Sequence, residues 1–111
     1  MARLNYLELP VDDVAGAKGF YARAFGWTFT DFGPTYAATT TGDTDFGFQG
    51  GELGRSRAAL PVIEVDDLEA TLAAVEAGGG TVTAPIFAFP GGRRFHFRDP
   101  AGHELAAMQA G

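Results

Sequence analysis

The chain has no cysteine among its 111 residues. That excludes a disulfide framework, a thiolate zinc site and a thiol nucleophile together. Long apolar runs are missing too. No stretch approaches the ~20 apolar residues needed to cross a bilayer, and no basic stretch followed by an apolar run opens the chain. Positive charge is scarce, with 8 Lys and Arg against 14 Asp and Glu and a net charge of −6. A nucleic-acid partner would require a basic face, so none is expected. The expectation from these absences is a cytoplasmic protein with no membrane or nucleic-acid partner.

What is present suits one small α+β domain spanning 1–111. Apolar residues make up 46% of the chain and ten residues are Phe, enough for a core at this length. The organising feature is an internal repeat. Val11-Asp12-Asp13-Val14 recurs 54 residues later as Val65-Asp66-Asp67-Leu68, and the same offset carries Leu9 onto Ile63 and Gly26 onto Gly80. Repeat one covers about 1–53 and repeat two about 57–111. Gly50 to Ser56 forms a polar, glycine-rich linker.

Each repeat reads as βαβββ. Tyr6 to Val11 alternates, with Leu7, Leu9 and Val11 on one face and Tyr6 and Glu8 on the other. Asp13 is placed to cap a helix carrying Val14, Ala17, Tyr21 and Ala24 at helical spacing, and Gly26 ends it. Strands are expected over Trp27–Phe32, Tyr36–Thr41 and Phe46–Gln49. In the second repeat the strand is Ala59–Val65, Asp67 caps a helix with Leu68, Leu72 and Val75 inward, and Gly78 to Gly80 stops it. Strands follow near Thr81–Thr83, Arg94–Arg98 and His103–Met108. The pattern predicts two βαβββ repeats whose sheets curve round a shared cleft, with the helices on the outer faces. Phe20, Tyr21, Phe25 and Trp27 are read as core, and both Asp pairs as helix caps.

Leu9-Pro10-Val11-Asp12-Asp13, Phe20-Tyr21 and Phe25-Gly26-Trp27 resemble the first half of vicinal-oxygen-chelate proteins, the glyoxalase, bleomycin-resistance and dioxygenase superfamily. Val65-Asp66-Asp67-Leu68, Gly79-Gly80 and Asp99-Pro100-Ala101-Gly102 resemble the second half. Metal-dependent members of that superfamily hold a divalent ion with His, Glu or Gln side chains from four strands. The resemblance places those positions at Tyr6, Leu60, Ala106 and, near the end of the first repeat, Phe46 or Phe48. Leu60, Ala106 and both Phe lack a donor atom, and one phenol does not make a site. No metal and no other cofactor is therefore expected. Glu8 and Glu104 are two residues from ligand positions and are the groups that would hold a displaced ion.

Strand parity supplies the remaining candidates. With Phe95 and Phe97 turned to the helix, Arg94, His96 and Arg98 face the cleft. So do Tyr6, Glu8, Leu60, Val62, Glu64, Glu104, Ala106 and Met108, with Phe46 or Phe48 as an apolar wall. His96 reads either as a general acid or base or as a strand histidine satisfied by Glu104 or Glu8. Glu8 reads either as a proton-transfer group or as the salt-bridge partner of Arg94. Arg94 in turn suits a carboxylate or phosphate of a ligand. Two classes of function follow. One is a metal-free protein that binds an apolar or aromatic metabolite or antibiotic. The other is a metal-independent isomerase, lyase or hydrolase using His96 or Glu8; a metal-dependent glyoxalase or dioxygenase is disfavoured. A small-molecule ligand and a homodimer are the expected partners.

Overall fold

Two aspartates start the two helices. The Asp13 and Asp67 side chains each accept a backbone N–H three residues on, from Gly16 and Ala70, at 3.0 Å. This satisfies a donor that the first helical turn leaves without an intrahelical partner. The computed structural model describes residues 2–51 and 57–111; the linker expected at 50–56 lies mostly outside them. Its elements are β1 (Arg3–Pro10), α1 (Val14–Phe25), β2 (Thr30–Asp31), β3 (Tyr36–Ala38), β4 (Asp45–Gln49), β5 (Leu60–Glu64), α2 (Leu68–Ala77), β6 (Thr81–Phe89), β7 (Gly92–Arg98) and β8 (Glu104–Ala110). The fold is α+β, with βαβββ read twice along the chain.

The chain groups into two compact units, Tyr6–Leu60 and Pro61–Gly111, the second including the residues before Tyr6. In the first unit the strand order is β2-β3-β4-β1. β1 runs parallel to β4, with Glu8 opposite Gly47, and β3 is antiparallel to β4. α1 ends where Gly26 turns left-handed at φ 73°, a conformation that glycine adopts without the Cβ clash of other residues. Tyr21 of α1 packs on the rings of Phe46 and Phe48, 5.2 and 5.5 Å between centroids. α1 nevertheless has no fully buried residue. Phe20 (54% exposed), Phe25 (60%) and Trp27 (41%), expected in the core, lie at the surface instead. Tyr21 packs over β4; Phe25 and Trp27 stack on its ring, and Phe20 meets it edge-on.

In the second unit the order is β5-β8-β7-β6, with β5 parallel to β8 and the rest antiparallel. The core lies between this sheet and α2: Val65, Leu68, Phe95 and Ala107, with Ile63, Leu72, Val75, Val82, Ile86 and Phe97 packed around them. Arg93 and Gln109, on the same side, hold the start of α2. Gln109 accepts from Leu68 N–H at 2.9 Å, and Arg93 donates twice to Glu69. β6 runs to Phe89, well past its expected end at Thr83. Pro85 conceals this continuation in the sequence. At the sheet edge the missing N–H is tolerated, and the register slips between Val82 and Phe87.

Candidate functional site

The first unit keeps a chain of polar groups on the side of its sheet away from α1. Glu8, on β1, is 1% exposed. Burial of a carboxyl group demands hydrogen-bonding partners, and Tyr36 of β3 donates its phenolic proton to Glu8 Oε1 at 2.9 Å. The Tyr36 oxygen in turn lies 2.5 Å from the hydroxyl of Tyr6. Burial, and then the charge of Glu8 and the neighbouring Tyr6, push the Tyr36 phenol far above its ordinary range, so it keeps its proton. Gly47 of β4 makes room for this arrangement. A Cβ there would overlap the Tyr6 hydroxyl and come within 2.8 Å of Tyr6 Cζ and 3.0 Å of Tyr36 Oη.

The second unit sets a different group on the side of its sheet away from α2. Phe95 and Phe97 belong to the α2 core, so Arg94 and His96 project the other way. Arg94 is 8% and His96 6% exposed. Opposite them on β8 stand Met108 and Ala106, and Val62 of β5 pairs with Ala106. The Arg94 guanidinium lies over the rings of Phe87 and Phe89, 5.3 and 5.2 Å from their centroids, where attraction to the ring faces orients it. Phe87 also lies 5.6 Å from the His96 ring. Glu104 accepts from Thr83 Oγ1 at 3.1 Å and lies 3.8 Å from His96 Nδ1, an ion-pair distance beyond hydrogen-bond length.

Two corrections follow. Phe46 and Phe48 face α1, against Tyr21, and form no wall beside Tyr6 and Glu8. The ligand position of β4 must then be counted from strand register. Glu8 pairs with Gly47 as Val62, 54 residues later, pairs with Ala106. Gly47 is therefore the first-unit counterpart of Ala106. The positions to be tested for a divalent ion are Tyr6, Gly47, Leu60 and Ala106, and three of these carry no donor atom. The donor set does not fit such an ion. Among the described residues, no three His, Cys, Asp or Glu side chains gather as a metal site.

Sequence reading missed Tyr36, Phe87 and Phe89. Tyr36 meets Glu8 across 28 positions and has no local signature, although an acidic residue in a buried strand implies such a partner. Phe87 and Phe89 were hidden with the unread half of β6. A separate recess of about 390 Å3, open to solvent, lies in the first unit beside Trp27, Phe46 and the threonines Thr39, Thr41 and Thr44. Of the candidate residues it includes Phe46 alone. No titratable side chain lines it, so the two polar groups above are the better basis for function.

Comparison with known proteins gives a consistent picture. The model of the Glyoxalase/Bleomycin resistance protein/Dioxygenase superfamily matches residues 3–107. The "Putative glyoxylase CFP32" of Mycobacterium bovis is 32% identical over 96% of this chain. The chain spans 45% of that relative's length. A superfamily member from Vibrio splendidus superposes with a TM-score of 0.72 at 16% identity, covering 99% of both chains. The Mn(II)-bound glyoxalase of Novosphingobium aromaticivorans superposes with a TM-score of 0.72 at 21% identity, covering 98% of this chain and 40% of its own. At these identities the two structures speak to the fold. No helix among the described residues is long and apolar enough to cross a membrane.

Proposed function

Since the chain belongs to the Glyoxalase/Bleomycin resistance protein/Dioxygenase superfamily, we propose that it is a member without the superfamily's metal centre that binds an apolar or aromatic metabolite or antibiotic. The observation carrying this reading is the donor set. Leu60 and Ala106 are fully buried hydrocarbon side chains at ligand positions, and Gly47 offers no side chain at the third. Tyr6, at the fourth, is engaged with Tyr36. The sheet faces away from α1 and α2 are the ligand-contacting ones. In the first unit that face offers Tyr6 and Glu8; in the second it offers Arg94, His96 and Glu104 as polar anchors among Val62, Ala106 and Met108, a mixture typical of small-molecule sites.

The second reading is metal-independent proton transfer by Glu8 or His96. It is favoured by the burial of Glu8, a carboxyl group shut away from solvent beside Tyr36. The protein acts in the cytoplasm as a homodimer, since two-fold pairing is the commonest symmetric assembly. Metal analysis tests the first reading. Protein purified without chelator and then dialysed should carry far less than one equivalent of Zn, Ni, Mn or Fe. Adding these ions should leave its melting temperature unchanged, because a ligand of the native state must raise it. Stoichiometric metal bound through Glu8 and Glu104 would refute it. Glu8→Gln separates the two readings: in an enzyme turnover is lost with affinity kept, and in a binding protein affinity alone changes.

A further inference from the structure

Proton counting along Tyr6, Tyr36 and Glu8 gives the polar group of the first unit a direction. A carboxylate only accepts, and a phenol has one proton to donate. Tyr36 gives its proton to Glu8. The 2.5 Å contact between the two phenols therefore has Tyr6 as donor and Tyr36 as acceptor. Having turned its only proton inward, the Tyr6 oxygen meets any further neighbour as an acceptor. The carboxylate that sets this direction is shut away from solvent, while Tyr6 and Tyr36 are half-buried residues. Gly47 makes the geometry possible, because a side chain there would push Tyr6 away from Tyr36.

We infer that Glu8, acting through Tyr36, fixes Tyr6 Oη as a hydrogen-bond acceptor for ligand, so that this face selects small aromatic molecules carrying an N–H or O–H donor over isosteres carrying only an acceptor. This rests on the reading that the face away from α1 contacts ligand, and it names the chemistry that face recognises. Tyr36 is a positioning residue: it sets which way the Tyr6 proton points. Tyr36→Phe keeps the ring and releases that proton, so selectivity should fall while the fold persists.

Indole and benzofuran are matched probes, alike in shape, one with an N–H and the other with an ether oxygen. Both are titrated into isotopically labelled protein, with affinity and location read from chemical-shift changes. The wild type should bind indole about tenfold more tightly, the discrimination one satisfied hydrogen bond supplies, with shifts centred on Tyr6 and Tyr36. In Tyr36→Phe the two affinities should converge. Independently of any ligand, the wild type should show low-field hydroxyl protons for both tyrosines with a cross-peak between them, and Tyr36→Phe should lose that cross-peak. Equal binding of both probes at this face would overturn the inference and leave the small-molecule reading standing. Shifts confined to other surfaces, or no binding of either probe, would overturn the inference together with the assignment of this face to ligand. Absence of the paired hydroxyl signals from folded wild-type protein would refute the proton direction itself.

Discussion

Gly47→Ala offers a sharp test of how the first unit is packed. Inside a strand, replacing Gly by Ala ordinarily stabilises by about 0.5–1 kcal/mol, since Gly loses more backbone freedom on folding. Here the new methyl group would overlap the Tyr6 hydroxyl and crowd Tyr6 Cζ at 2.8 Å. Tyr6 must therefore swing aside, giving up its hydrogen bond to Tyr36. That loss costs about 0.5–1.5 kcal/mol, and overpacking a filled site adds about 1–3 kcal/mol. The net expectation is destabilisation of about 1–3 kcal/mol, opposite in sign to the backbone effect. Urea denaturation monitored by far-UV circular dichroism measures it as a lower midpoint at unchanged slope. The same substitution in a Tyr6→Phe background should cost less by about 1 kcal/mol, because the clashing oxygen and its hydrogen bond are already gone. A Gly47→Ala protein as stable as the parent, with no coupling to Tyr6→Phe, would refute this account.

Other expectations are more local. Asp45 accepts hydrogen bonds from Thr39 Oγ1, Thr41 N and Oγ1, and Gly42 N. Burial alone would raise its pKa, but these bonds, those of Thr41 foremost, hold the carboxyl below its ordinary value. A folded pKa below the unfolded one gives stability that is complete above about pH 4 and lost as pH falls through the folded value. The stability gap between wild type and Asp45→Ala in urea melts should therefore close in that acid range and nowhere above it. Phe95→Ala removes a ring with 0% exposure from the α2 core and should cost about 3–5 kcal/mol by the same assay. Light scattering at micromolar concentration should report a dimer of the 11.7 kDa chain, and a monomer would refute the assembly proposed above.

The helices and the repeat were legible because they rest on local rules. An aspartate three residues before the N–H it caps, an apolar stripe at helical spacing and a closing glycine are all visible within a dozen residues. The second-unit core was legible for a related reason: Phe95 and Phe97 alternate with Arg94, His96 and Arg98, so the polar residues reveal the phase. β4 gave no such marker. In Phe46-Gly47-Phe48 the residue between the two rings has no side chain, and both faces read as apolar. The ring that decides the phase, Tyr21, is more than twenty positions away. Tyr36 escaped notice because its role is fixed by a partner on a distant strand. The exposure of Phe20, Phe25 and Trp27 contradicts the reading of aromatic residues as core. Periodicity shows which residues share a helix face, but not how wide a stripe the neighbouring sheet can cover.

The position of Trp27 has a spectroscopic consequence. It is the single tryptophan of the chain, and its ring stacks on Tyr21 at 5.8 Å, 9° from parallel, on the α1 side of the first unit. At 41% exposure it emits from a partly hydrated environment, and energy absorbed by the adjacent Tyr21 is passed to it. Intrinsic fluorescence of this protein is therefore a monitor of the outer aromatic surface. Its wavelength will shift when that surface is covered by another copy or another molecule. It will report weakly on a small molecule docking beside Tyr6 and Tyr36, on the opposite face of the same sheet.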